Sequence, residues 1–466
     1  MKNYQLIIML LTAVLSSSCE KYLDVKSNST QVFVKSSEDC QKLLDFYNVF
    51  NIGYPSDGTI SSGDTYLTDE SYNSFSAELS DEDRAFYTWQ AGAIRNRANN
   101  SQWSFIYLKI YQANIVLETL NDLSDKPDQS TVNRLRGTAL FYRAFSHWQL
   151  AQLYAPVYTA ADAHLQMGIP IRLESDVNEV LVRGTVKQTY ERIIQDLNEA
   201  VNLLPESVPV VSRPSKVAAL AMLARVYLSM EDYAQAESNA NAALQLNSNL
   251  VDYNTISTNS FTPFPRFNRE VVFQAAMTVA PALVPGDGSG SSSVLKIVPD
   301  LAAQYESNDL RRLIFLKSVA GSSTVFTFSG NYEPAFTGEY FVGLAVDELY
   351  LIRAECFARA GNIVSALADL NTLLRTRWLT GTYVEKSTTT ANEALSLILM
   401  ERRKELLLRG LRWSDLRRLN RDPRFAVTLK RTVLGVEYTL PPNDLRYTLL
   451  IPSEVINQSS HLQNKR

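Results

Sequence analysis

Residues 214–246 read PSKVAALAMLARVYLSMEDYAQAESNANAALQL, and their spacing decides the fold class. Pro214 suits the first turn of a helix, where its missing N–H has no intrahelical partner to lose. Small and apolar residues then recur at helical spacing through Ala221, Ala224 and Tyr227. Glu231 and Asp232 mark a short turn. A second helix carries Tyr233, Ala236, Ala240, Ala243 and Leu244. Two helices joined by a tight turn, with small side chains where the backbones cross, form the tetratricopeptide pattern.

The pattern recurs along the chain. Residues 346–374 repeat it with Ala354, Phe357 and Ala358, a turn at Gly361-Asn362, then Ala366, Leu367 and Leu370. A weaker copy pairs residues 103–121 with 131–154, and a further helix over 187–204 precedes the 214–246 pair. The pairs are not tandem. Residues 50–100, rich in Ser, Asp, Asn, Tyr and Gly, separate them, as do 157–184 and, above all, 255–342 with its GDGSGSSS run at 286–293. After residue 420 the chain turns to short extended pieces: FAVTL, VEYTL and the ending TLLIPSEVI. The expected fold is mainly α: a tetratricopeptide-like helical repeat scaffold with long irregular loop insertions, which on such scaffolds usually carry the function.

The N-terminus reads as an export signal. Lys2 is followed by LIIMLLTAVL at 6–15, then Ser16, Ser17, Ser18 and Cys19. The apolar run is short of the ~20 residues a spanning helix needs, and small residues before a Cys suit cleavage there. Residues 1–18 are read as a signal peptide and Cys19 as a lipidation site, which would anchor the chain to a membrane. The two other cysteines, Cys40 and Cys356, do not make a disulfide framework, although a single bridge between them is open. The formal net charge is -4, with 45 Lys and Arg against 49 Asp and Glu. That balance gives nucleic-acid binding no electrostatic support.

In their order, several segments resemble the SusD/RagB family of outer-membrane nutrient-binding lipoproteins. Cys19-Glu20-Lys21-Tyr22-Leu23-Asp24-Val25 is similar to the family's opening after the lipidated Cys. WSFIYLKIYQAN at 103–114 and residues 135–154, with Arg143 and Ala144, resemble its first scaffold helices. Asn308-Asp309-Leu310-Arg311-Arg312 looks like its Asp-x-Arg-Arg element, and DELYLIRAE at 347–355 like its late scaffold helix. The most specific stretch is ERRKELLLRGLRWSDLRRL at 401–419, with Arg409 a minor departure; Ile451-Pro452-Ser453-Glu454 and Gln463-Asn464 also fit.

The resemblance implies a single SusD-like unit over 19–466. Within it, 19–102 holds candidate ligand loops, 103–254 helical repeats, 255–342 a loop insertion, and 343–466 a further repeat with the C-terminal signature. It also implies a right-handed scaffold, a cell-surface position on the outer membrane, capture of oligosaccharides or peptides, and a SusC-like TonB-dependent transporter as partner.

Trp89, in Tyr87-x-Trp89, matches a family element near the ligand site, and an indole face offers a platform for sugar C–H groups. Asp64, Tyr66, Asp69, Arg95 and Asn96 are the expected hydrogen-bonding neighbours, with Tyr332 and Phe336 a candidate second wall. Trp103, Trp148 and Trp413 read as core. Glu401 and Glu405 lie four apart on one helix face, a spacing that invites comparison with glycosidase carboxylates. Arg402, Arg403, Arg412, Arg417 and Arg418 crowd the same region and favour ionised carboxylates, so an ion-pair network holding the C-terminal region is the expectation. His147, His164 and His461 have no second ligand at metal spacing, and Asp57, Asp64 and Asp69 are not spaced as an EF-hand; no metal or cofactor is expected. A lipid-anchored glycan hydrolase and a generic tetratricopeptide interaction scaffold are the alternatives.

Overall fold

In the computed structural model the described residues are 34–74, 81–96, 101–278, 295–334 and 339–466. Cys19, the 286–293 run and Phe336 lie outside them. The helices of eight or more residues are α1 (Ser37–Leu44), α2 (Gln102–Thr119), α3 (Gln129–Tyr154), α4 (Val186–Leu203), α5 (Lys216–Ser229), α6 (Tyr233–Leu246), α7 (Val346–Arg359), α8 (Ile363–Arg375), α9 (Ala391–Glu405) and α10 (Arg412–Leu419). Local chemistry sets their starts. Ser101 and Thr185 form capping boxes with Ser104 and Gln188, while Ser215, Asp232, Asn362 and Thr390 each accept a backbone N–H three residues on. Pro214 therefore precedes the cap instead of occupying the first turn. The turns fall where the sequence places them, with Glu231 and Gly361 both at positive φ.

The repeat pairs stack as expected. α2 packs on α3, α3 on α4, α4 on α5, α5 on α6, α6 on α7 and α7 on α8. Ala221, Ala224, Ala236, Ala240 and Ala243 are all buried at these crossings, as are Ala354, Ala358 and Ala366. A buried arginine pins several joints. Arg143 on α3 makes a bidentate pair with Asp196 on α4, both bonds 2.8 Å, and donates to Asn114 Oδ1 on α2 at 2.9 Å. Arg225 on α5 holds Glu348 on α7. Arg353 on α7 joins Asp369 on α8 to Asn241 on α6, each contact 2.7 Å. Such planar two-point contacts fix orientation as well as distance.

The insertions are less irregular than their composition suggests. Antiparallel strand pairs tie them back across the chain: Thr65–Tyr66 with Lys296–Ile297, Val271–Phe273 with Leu344–Ala345, and Ala276–Thr278 with Glu339–Phe341. Gly343 permits one of these approaches, since a Cβ there would lie 2.0 Å from the Phe273 carbonyl oxygen. Beyond α10, Leu429–Val433 and Val436–Leu440 form a hairpin, and Ser453–Gln458 is helical where an extended ending was expected. Cys40 and Cys356 are both buried free thiols, so no bridge joins them. Among the described residues no helix is long and apolar enough to cross a membrane.

Candidate functional site

Residues 50–74 and 81–96 gather around the short helix Asp57–Ser61, which has every residue buried. Gln102 at the start of α2 fastens its entry. The Gln102 Oε1 accepts the Ser56 and Asp57 N–H groups at 2.9 and 3.1 Å, and Nε2 donates to Asp57 at 2.8 Å. Arg95 pairs with Asp57 and with Asp83 at 2.7 Å. Burial alone would pull its pKa down, but Asp57 and Asp83 outweigh that and hold the guanidinium charged.

The structure places the expected ligand residues in two groups. Trp89 sits at the end of the helix Asp81–Tyr87, in the left-handed region at φ 51°, and is 4% exposed. Its Nε1 donates to the Ser61 carbonyl at 3.0 Å. The Arg431 guanidinium lies 4.6 Å from its ring and 3.9 Å from the Tyr87 ring, and donates to the Ile60 carbonyl at 2.8 Å. The indole therefore presents no open platform in this conformation; it fills the loop's interior, and a cation already occupies its π face. Asp64 is likewise buried, accepting from Arg403 Nε at 2.8 Å. Arg95 is spent on its acidic partners. Tyr66, Asp69 and Asn96 remain accessible to different degrees. Tyr66 is half-buried in its strand, Asp69 is exposed and accepts the Leu434 N–H at 2.8 Å, and Asn96 is exposed and donates to Glu82. Tyr332, the candidate second wall, is fully buried and donates to Glu270 at 2.7 Å.

The carboxylates of the C-terminal signature are locked. Arg311 donates to Asp309 at 2.9 and 2.7 Å, to Glu401 at 2.6 Å and to Glu405 at 2.9 Å. Arg377 joins Glu405 to Glu270 at 2.8 and 2.9 Å. Burial pushes the Glu405 carboxyl up, but Arg377 and Arg311 outweigh it and leave its pKa below the usual value. A general acid needs the opposite shift. The network is the expected one, yet Glu405 is held from outside the signature by Arg311 and Arg377, and Glu401 by Arg311 from outside and Lys404 from within. The arginines within it serve elsewhere: Arg402 and Arg418 hold Asp415, and Arg417 donates to the α3 C-terminal carbonyls. His147 is buried and pushed down to about 3 by desolvation, then by Arg143 and Arg192, so it is neutral at ordinary pH. Among the described residues no group of His, Cys, Asp and Glu is arranged to hold a metal ion.

Two family profiles match the chain in sequence order. One, described as "Starch-binding associating with outer membrane", covers residues 21–228; the other, described as "SusD family", covers 336–447. The chain belongs to the SusD/RagB family. The SusD-like protein P2 of Formosa agariphila is 29% identical over 140 residues, a stretch amounting to 30% of this chain and 25% of that relative's length. The fold is shared over almost the whole length. A SusD superfamily protein of Bacteroides vulgatus superposes with a TM-score of 0.73 at 21% identity, covering 92% of this chain and 99% of that one. One from Bacteroides thetaiotaomicron gives 0.70 at 22% identity, covering 92% and 100%. A laminarin-binding SusD-like protein gives 0.64 at 19% identity, covering 92% and 99%. The mainly α, tetratricopeptide-like SusD fold expected from the sequence is thus the fold of the protein.

Proposed function

We propose that this SusD-family chain is a cell-surface lipoprotein, acylated at Cys19, that captures an oligosaccharide and hands it to a SusC-like TonB-dependent transporter in the outer membrane. The observation that carries this reading is the ordered match to two SusD profiles, one described as starch-binding and outer-membrane associated. The laminarin-binding relative with the same fold points to glycan over peptide. The role is capture without bond cleavage, since arginine neighbours hold the Glu405 carboxyl ionised and pair with Glu401.

Within the 60–96 region the division of labour follows from burial. Tyr66, Asp69 and Asn96 meet the ligand, while Trp89, Asp64 and Arg95 shape the loop that presents them. Titration calorimetry with laminarin and a panel of other glycans tests this. Tyr66→Ala and Asn96→Ala should each weaken the binding heat by about tenfold or less in affinity, an exposed contact's worth. Arg95→Met should lower the melting temperature as well. Unchanged affinity in both exposed variants would remove the ligand from this loop, and heat from peptides alone would make the cargo a peptide.

A further inference from the structure

Asp64 immediately precedes the strand that carries Tyr66, and three guanidiniums gather around it. Arg403 on α9 reaches its Oδ1 through Nε and Nη2, each at 2.8 Å. Arg412, the first residue of α10, brings its Nε to 3.5 Å from the same oxygen. Arg431 lies over Tyr87 and Trp89 and donates to two backbone carbonyls, and Asp64 is the carboxylate that acts on it. Asp415, the other acid acting on Arg412, is already taken by Arg402 at 2.9 Å and by Arg418 at 3.0 and 2.8 Å. The group around Asp64 therefore sets three positive charges against one negative.

Arg412 is the member with donors left over. Among the described residues no group hydrogen-bonds its guanidinium, and its Nε is buried without a partner. The Arg412 and Arg403 side chains are 19% and 24% exposed while Asp64 is 3% exposed, so the two cations reach solvent and their shared acid does not. Burial lowers the Arg412 pKa, Asp64 pulls it the other way, and Arg403 lowers it again. The position adds to the imbalance. α10 starts at Arg412 with no side-chain cap, and a cation there stands against the helix dipole. A partly buried cation without hydrogen bonds or an acid of its own is unfavourable in the free fold, and an anion bound beside it would relieve that. Acids on the adjoining loops are engaged: Asp69 with the Leu434 N–H, Asp81 with Arg84, and Glu82 with Asn96 and Arg95.

We infer that Arg412 and Arg403 form a subsite for an acidic group of the glycan, a carboxylate or a sulfate ester, so that the captured oligosaccharide is an acidic one. The inference rests on glycan capture at the 60–96 region, proposed above. A guanidinium offers planar, paired N–H donors that match two oxygens of such a group. Asp64 holds Arg403 in place from the protein side, and the free donors of Arg412 take the ligand. The whole chain has a formal charge of -4, so long-range attraction does not favour an anion and the preference arises from contact. Tyr66, two residues from Asp64 and half-buried, is placed to meet the adjoining sugar.

The test is calorimetry on the full mature chain with three oligosaccharides of matched length: neutral ones from laminarin, carboxylated ones from alginate and sulfated ones from carrageenan. One acidic series should bind about tenfold or more tighter than the neutral one at low salt, and that series names the acidic group. The advantage should shrink as salt is raised to about 1 M. Arg412→Gln should erase it with an unaltered circular dichroism melt. Arg412→Lys, which keeps the charge without the planar fork, should retain only part of it. Arg424→Gln removes the same charge from an exposed position outside the group and should leave the advantage intact. If the Gln variant melts early, the Lys variant and the salt dependence of the wild type decide. Equal affinity for neutral and acidic glycans in the wild type would overturn the subsite and leave capture standing. So would an advantage that survives in Arg412→Gln or falls equally in Arg424→Gln. Silence from all three series would overturn capture itself.

Discussion

Replacing Arg311 with Met should unfold more of this protein than any surface change. Arg311 and Glu405 are fully buried, and Arg311 also bonds Asp309 and Glu401. The surrounding cluster contains the cations Arg311, Arg377 and Lys404 against the anions Asp309, Glu270, Glu401 and Glu405. Met fills much of the same space but leaves two cations facing four anions away from water. Breaking a buried pair by removing one partner costs about 3–5 kcal/mol, a large share of a typical stability of about 5–15 kcal/mol. Urea unfolding followed by circular dichroism reads the loss directly. Its pH dependence has a definite sign. Asp309 and Glu405 have pKa values below their ordinary 3.8 and 4.5, against burial, with Arg311 among the charges that pull them down. Their contribution is present above those ordinary values and is lost as pH falls through the lowered ones. The gap between wild type and Arg311→Met should be widest near neutrality and narrow below about pH 4. A loss under about 1 kcal/mol, or a gap unchanged between pH 7 and pH 3, would refute the structural role of these carboxylates.

Lys109 on α2 is buried and donates to the Ile52 carbonyl at 2.8 Å, and desolvation pushes its ammonium down to about 7. Its folded pKa lies below the unfolded 10.5, so the unfolded chain binds the extra proton between those values and wild-type stability should rise with pH there, by up to about 1.4 kcal/mol per unit. Lys109→Met should flatten this part of the profile in urea melts at pH 7 and 9; identical slopes would contradict it. Ala240 is fully buried where α6 meets its neighbours, so Ala240→Leu should lower stability by about 1–3 kcal/mol through overpacking, read as a falling melting temperature, whereas no change would mean a looser joint.

The scaffold was legible because its signal is local. Ala221, Ala224, Ala236 and Ala240 repeat at the spacing that their helices then bury, and the caps at Ser215, Asp232 and Asn362 sit within a few residues of the helices they start. The candidate site was not, because its determinants are far apart in the chain. Trp89 looks like a loop aromatic until Arg431, 344 residues beyond Tyr87, is seen lying over both rings. Asp64 looks like a free carboxylate until Arg403, 339 residues away, takes it. Trp103, Tyr107 and Tyr111 have the spacing of a core stripe, yet an open groove runs along them, lined also by Pro170, Val177, Leu181 and Val455. The Asp-x-Arg-Arg element and the Glu401/Glu405 pair were each visible, but nothing in either segment says that Arg311 of one holds the carboxylates of the other.

Capture without cleavage is tested most directly by incubating the mature chain with laminarin and other glycans, measuring the binding heat, and then sizing the recovered glycan by chromatography. Saturable heat with the glycan returned at its original length is the predicted result. Shortened chains, or silence across every glycan offered, would contradict it.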